Sequence, residues 1–227
     1  MIERLINYIA VFLALLIVLP FHEFAHGFAA VKCGDYTPKL YKRYTLNPMA
    51  HFDPMGLACF VFAGFGWAKP MPVNSSNFRN YRKGVFLVSI AGVTVNFITS
   101  FLIYPVLLLV SYKLLPLLGG INLGYFDDVL VLSLYYIYRM GLTFFVFNLI
   151  PVYPLDGFRA YSALTRRHTQ VYYFLKNKGL YVLYGLFFLS IIADYTGLYY
   201  LDVLGIFINF VVGYLSYPIT AFWGLFF

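Results

Sequence analysis

The sequence predicts an all-α polytopic membrane protein, with about five transmembrane helices and a short membrane-embedded β or re-entrant segment. Three observations carry that expectation. Of 227 residues, 62% are hydrophobic and only 11% are charged, whereas soluble domains carry about 25% charged residues. Apolar runs recur at the length a bilayer demands, about 20 residues per helix. Basic side chains gather in two of the segments between those runs and are sparse elsewhere.

The first run extends from about Leu5 to Val31. Pro20 within it removes a backbone donor and can kink the helix. The run leads into His22, Glu23 and His26 instead of a small-residue cleavage site, so it reads as a membrane helix and not as a signal peptide. The second run covers about Val85 to Tyr112, and the third about Val129 to Ile150. A fourth, about Gly179 to Ala193, is short for a span unless Lys176 and Lys178 snorkel to the interface. The fifth covers about Leu198 to Phe226.

Eight basic residues lie between Lys32 and Lys83, and five more between Arg159 and Lys178. By the positive-inside rule both segments are cytoplasmic and the N-terminus lies outside. Asp127, Asp128, Asp194 and Asp202 then fall on or near the outer ends. The formal charge is +7, but no soluble basic stripe accompanies it, which argues against a nucleic-acid partner. Cys33 and Cys59 are the two cysteines, too few for a disulfide framework. No internal repeat or appended soluble domain is visible, and residues 1–227 read as one membrane domain.

The stretch from Pro54 to Val73 departs from this pattern. Its apolar core, GLACFVFAGF, is too short to span as a helix, and it ends in WAKPMPVN. A buried hairpin or re-entrant segment fits, with its backbone satisfied by protein or a wet cavity.

The chemistry-bearing motif is HEFAH, His22 to His26, near the cytoplasmic end of the first helix. Residues four apart share a helix face, so both imidazoles can reach one metal ion. Glu23 sits one step round the helix, where it can take a proton from a water without ligating the metal. Ionisable groups in a membrane segment are costly and mark function. A catalytic zinc takes three protein ligands and keeps one position open. Asp156, in NLIPVYPLDG, is the best third ligand: Pro151 and Pro154 break the helix, and Gly157 allows a sharp turn at the same membrane face. His51, His168 and Cys33 are weaker candidates.

With both motifs in hand, the chain resembles the site-2 protease family of intramembrane zinc metalloproteases. FHEFAH at 21–26 is similar to that family's zinc-binding helix, and NLIPVYPLDG at 148–157 to its second motif. LNPMAHFDPMG and GFGWAKPMPVN look like the segment that precedes the family's edge strand, and GVTVN at 92–96 like its small-residue helix ending in asparagine. The match covers about residues 10 to 160. Neither a PDZ nor a CBS domain is visible, as expected of a minimal bacterial-type member, with a catalytic core at about 5–160 and C-terminal helices at about 172–227.

The resemblance implies one zinc ion per chain, held by His22, His26 and Asp156, with Glu23 as general base and later acid. It implies that Asn148 donates to the tetrahedral oxyanion, with Asn96 assisting or orienting. It implies a plasma-membrane protein in regulated intramembrane proteolysis, with a membrane-anchored protein or signal-peptide remnant as substrate and an active site opening to the cytoplasm. Because a membrane helix has its amides already paired, the substrate must unwind, and an edge strand can capture it by β-augmentation. Gly66, Trp67, Ala68, Lys69 and Pro70 are the candidate edge. The rival readings are a metal-binding transporter, which would need paired broken helices, and a scaffold with a structural zinc, which would need a closed four-ligand site. Another HExxH class would need a glutamate or histidine as third ligand, and Glu3 is the one other glutamate, at the wrong end. Arg139, inside the third helix, has no role in this reading.

Overall fold

The architecture is that of a computed structural model, which describes all residues except 57–58, 60–65, 67, 118–123 and 166–168. Seven helices are used below: α1 (Ile2–Cys33), α2 (Tyr81–Leu109), α3 (Tyr125–Leu149), α4 (Asp156–Leu164), α5 (Gln170–Asn177), α6 (Gly179–Thr196) and α7 (Val203–Trp223). Among the described residues, five helices are long and apolar enough to cross a membrane: α1, α2 with its π-helical continuation to Leu114, α3, α6 and α7.

Local chemistry sets the ends of these helices. Gly34 closes α1 in the left-handed region (φ 109°), donating its N–H to Ala30 and Val31 carbonyls. A Cβ is disfavoured in that conformation, which is why glycine suits it. The Asn80 side chain caps α2 through the Lys83 N–H at 3.0 Å. Asp202 caps α7 through the Gly205 N–H at 2.9 Å. That cap, preceded by a 3-10 turn at Tyr199–Leu201, starts α7 later than the apolar run alone suggested. α1 runs unbroken through Pro20, whose side chain is buried. Pro151 does terminate α3, as read from the sequence, and Tyr153–Pro154 is a cis peptide.

Helices α1, α2 and α3 form the packed unit. Ala14, Val18 and Ile137 close α1 against α3. Ser100 ties α2 to α3, its hydroxyl lying 2.9 Å from the Tyr138 carbonyl and 3.0 Å from that of Asn96. Tyr138, Leu142 and Val146 of α3 pack on Val212 and Ile219 of α7. Trp223 Nε1 donates to the Phe101 carbonyl at 2.9 Å. Arg139 donates to Asn209 Oδ1 at 2.9 Å, which gives this otherwise unassigned cation a partner on α7. Outward faces of the same helices expose Leu102, Leu109, Phe188, Phe210 and Tyr214. Water would oppose that much exposed apolar surface, and lipid accepts it.

The direction of α7 departs from the sequence reading. Val203 and Leu204 share a cavity of about 580 Å³ with Leu149 to Val152, at the end of α3 that leads to Asp156. Lys113, at the far end of α2, lies 5.1 Å from the Phe227 ring. α7 therefore runs antiparallel to α3, and Asp202 sits at the Asp156 end and not at the opposite one.

Of the expected membrane-embedded β segment, an isolated antiparallel bridge between Phe52 and Ala68 is present among the described residues, with Lys69 N–H donating to the His51 carbonyl at 2.8 Å. Trp67 and most of GLACFVFAGF lie outside the described residues.

Candidate metal and catalytic site

α1 delivers His22, Glu23 and His26 from one stretch of helix, all buried. Asp156 arrives from the first turn of α4, after the Pro151–Leu155 break that ends α3. His22 Nε2 lies 3.0 Å from His26 Nε2. Asp156 Oδ2 lies 3.3 Å from the first and 3.0 Å from the second. Ligands at 2.0–2.1 Å in a tetrahedral zinc site stand about 3.3 Å apart, so the three atoms already have the required mutual spacing. Among the described residues these are the three donors that gather as a metal set.

The outer contacts fix which nitrogens face inward. His26 Nδ1 lies 2.7 Å from the Val88 carbonyl, which can only accept, so Nδ1 carries the proton and Nε2 keeps its lone pair. The Asn96 amide holds Nδ1 of His22 at 2.9 Å, two turns further along α2. Asp156 Oδ2 is fully enclosed with no hydrogen-bond donor of its own. Two imidazole lone pairs and a carboxylate oxygen converging in a buried space repel unless a cation lies between them, and this donor set suits zinc. Burial pushes the Asp156 carboxyl up, and the His26 and His22 imidazoles outweigh it and hold the group below the usual carboxylate range. A carboxylate must be ionised to ligate a metal.

Gly92 explains the small-residue character of GVTVN. A Cβ there would meet His26 Nε2, with His22 Cε1 and His26 Cε1 each at 2.7 Å. α2 can support the imidazoles from behind only because this position has no side chain.

Glu23 stands outside the three-donor set. Its Oε2 accepts the Met71 N–H at 2.6 Å, which ties the carboxylate to the segment after Ala68. Arg43, buried in the same region, donates from Nη2 to the Lys69 carbonyl at 2.7 Å. Burial pushes the Arg43 guanidinium below its ordinary value, and the Glu23 carboxylate opposes that shift. Glu23 thus joins the HEFAH helix to the 68–71 segment, and Arg43 joins the chain after that helix to the same segment, both through charge-assisted contacts, a class roughly twice as strong as neutral hydrogen bonds. In an antiparallel bridge of this register, the backbone groups of Ala68 point away from Phe52, toward the opposite edge. Gly66 and Pro70 are exposed in the same segment.

Asn148 lies in the last turn of α3, and its amide donates to the Phe144 carbonyl at 3.0 Å. Among the described residues no hydrogen bond joins it to the three metal donors. His51 is fully buried and pairs with the Thr45 carbonyl at 2.7 Å, so it supports the loop and not the metal. His168 lies outside the described residues. The sequence reading missed Asp35, fully buried after α1, which accepts from Thr37, Asn74 and Asn77. Burial raises its carboxyl and those donors pull it below its ordinary value. It fastens the end of α1 to the chain that follows the edge segment. A single aspartate in a basic loop gave no sequence signal, since its partners Asn74 and Asn77 lie about 40 residues away.

Fold and site define a polytopic membrane protein with a buried group of two histidines and one aspartate that could hold a metal ion, beside a glutamate. A profile of Peptidase family M50 matches residues 10–192. The chain belongs to that family, the site-2 protease family its two motifs resemble. Among curated proteins it is 39% identical over 147 residues to "Putative zinc metalloprotease YwhC" of Bacillus subtilis, covering 65% of each chain. It is 32% identical over 164 residues to "Putative zinc metalloprotease Rip2" of Mycobacterium tuberculosis, covering 68% of this chain and 57% of that one. The Mycolicibacterium smegmatis protein of the same name is 28% identical over 179 residues, covering 74% of this chain and 63% of its own. The match therefore spans less than two-thirds of these relatives' lengths. No solved structure matches. Zinc is the metal these relatives' names imply, and the donor set fits it.

Proposed function

We propose that this protein is an intramembrane zinc metalloprotease that hydrolyses a peptide bond within or near a transmembrane segment of a membrane-anchored protein or signal-peptide remnant. The observation that carries the reading is the convergence of His22, His26 and Asp156 with Glu23 adjacent but outside the donor set. A structural metal site would be closed by a fourth ligand, and a carboxylate held next to three ligands has the place of a general base.

His22, His26 and Asp156 would hold the zinc. Zinc supplies Lewis acidity, which acidifies a water to a pKa of about 7 and polarises the scissile carbonyl. Glu23 takes the water's proton and returns it to the leaving amine. The Met71 N–H holds one carboxylate oxygen in place for that exchange. Asn148, at the end of α3, turns its amide from the Phe144 carbonyl to the oxyanion as charge develops there. Gly66, Trp67, Ala68, Lys69 and Pro70 receive the unwound substrate, with the outward-facing groups of Ala68 as its pairing partners. Arg43 and Glu23 brace that strand from behind. The site opens to the cytoplasmic side of the plasma membrane, with the N-terminus outside, on the weight of the two basic segments.

The test is cleavage of a panel of membrane-helix substrates by the purified protein in detergent. Cleavage that stops on zinc chelation and returns on zinc addition supports the reading. Zinc-loaded protein that cleaves none of the panel, including helices carrying Gly, Pro or Asn, overturns it.

A further inference from the structure

We infer that Asn96 is a positioning residue that presents its amide oxygen to Nδ1–H of His22, and so aims the Nε2 lone pair at the metal. This rests on the zinc reading above and assigns Asn96 one of the two roles that the family resemblance left open. Three observations point to it. The Asn96 amide meets Nδ1 of His22 at 2.9 Å, while the other nitrogen of that ring faces Asp156 at 3.3 Å. The amide therefore touches the back of the imidazole and not the reacting side, where an oxyanion would form. With the amide NH₂ turned to Nδ1, the Asn96 Oδ1 is left buried with no partner in a residue 1% exposed. An unpaired buried acceptor is costly, and that orientation would also force the proton onto Nε2, where it blocks ligation. Exchanging the two amide atoms gives Oδ1 a donor and frees Nε2 of the proton, with the NH₂ moved to the position Oδ1 held. Nδ1–H gains an acceptor, and Nε2 keeps its lone pair.

His26 offers the internal comparison. Its Nδ1 meets the Val88 carbonyl, two turns earlier on the same helix. α2 thus supplies one acceptor to each histidine, a backbone oxygen to His26 and a side-chain oxygen to His22. Gly92, between them, lets the helix approach closely enough for both. Only the side-chain acceptor can be removed by substitution.

The experiment measures zinc affinity by chelator competition in detergent for wild type, Asn96→Leu, Asn96→Ser, Asn96→Asp and Ser100→Ala. Loss of an outer-shell partner of a metal-binding histidine weakens affinity about 10–100-fold. Asn96→Leu and Asn96→Ser are expected in that range, since neither places an acceptor at Nδ1. Asn96→Asp keeps an oxygen there and is expected to retain affinity within about threefold of wild type on the same reasoning. Ser100→Ala removes a hydrogen bond one turn further along α2, to the Tyr138 carbonyl of α3, and is expected to bind zinc as wild type does. It separates loosened packing from lost orientation. If Asn96→Leu does not extract as a folded monomer, the smaller Asn96→Ser decides. Wild-type affinity in Leu or Ser variants overturns the inference, as does an Asp variant as weak as Leu. Wild-type protein that binds no zinc overturns the zinc reading itself, which is a different result.

Discussion

Two surroundings of α3, the site at its C-terminal end and the apolar contact with α7, are built on different terms. At its C-terminal end, side chains of α1 and α4 bring four buried ionisable groups together, His22, Glu23, His26 and Asp156, supported by α2. Toward its middle, where α7 crosses, Tyr138, Leu142, Val146, Val212 and Ile219 make an apolar contact with Arg139 and Asn209 as its polar link. The first region tolerates no atom out of place, because lone pairs must meet one ion. The second asks for volume and hydrophobicity, which many side chains supply. Chemistry and packing are thereby separated along one helix, and substitutions in the two surroundings should fail in different ways.

The largest contrast is between two glycines. A methyl group at Gly92 would strike His26 and His22. Gly92→Ala should weaken zinc binding and reduce cleavage by about 10–100-fold, the range seen when metal support is lost. At Gly213 on α7 an added Cβ meets nothing within 4 Å. Gly213→Ala should leave zinc and cleavage unchanged and raise thermal stability slightly, by up to about 1 kcal/mol of helix propensity. Metal analysis and a melting curve on both variants check the pair. Equal zinc loss in both would erase the distinction between the two surroundings.

Next in size is the edge segment. Ala68→Pro removes an amide donor and restricts residue 67. Cleavage should fall severely while zinc content stays normal, and Trp67→Phe should be mild. A wild-type rate for Ala68→Pro would remove the strand from the mechanism and leave the metal chemistry intact.

Leu142 is fully buried in the apolar region. Leu142→Ala should cost about 2–5 kcal/mol, seen as an earlier thermal transition, with one zinc still bound per folded chain. Zinc lost in proportion to stability would mean that the two regions are coupled.

The smallest effect is positional. Single cysteines replacing Lys113 and Phe227, which lie together, should be labelled by an impermeant reagent from the same face, and one at Lys42 from the other. Labelling of residues 113 and 227 from opposite faces would contradict the antiparallel course of α7.

The same contrast marks what was legible in the sequence. HEFAH and LDG are short-range patterns: two histidines four apart share one helix face, and two prolines set the break before the third candidate ligand. Asp156 was legible because a chain with nine acidic residues offers few alternatives. The Val88 carbonyl and the Met71 N–H were not, because every residue carries those groups and only the fold chooses among them. Gly92 was visible within GVTVN, but its reason was not, since it depends on how closely α2 approaches two side chains of α1. Arg43 was counted among basic residues that orient the chain, and its burial against Lys69 and Glu23 gave no local signal. The course of α7 was misread because charge counting assumes that each apolar run carries the chain to the other face, while tertiary contacts decide where each helix begins.

The central claim is that Glu23 moves protons and does not hold the metal. Zinc content and cleavage of one membrane-helix substrate, measured on the same preparations of wild type and Glu23→Gln, test it most directly. The account predicts one zinc per chain in both, and cleavage in Glu23→Gln reduced by at least about 100-fold, the usual lower bound for losing a general base. Near-normal turnover by Glu23→Gln, or loss of its zinc, would contradict it.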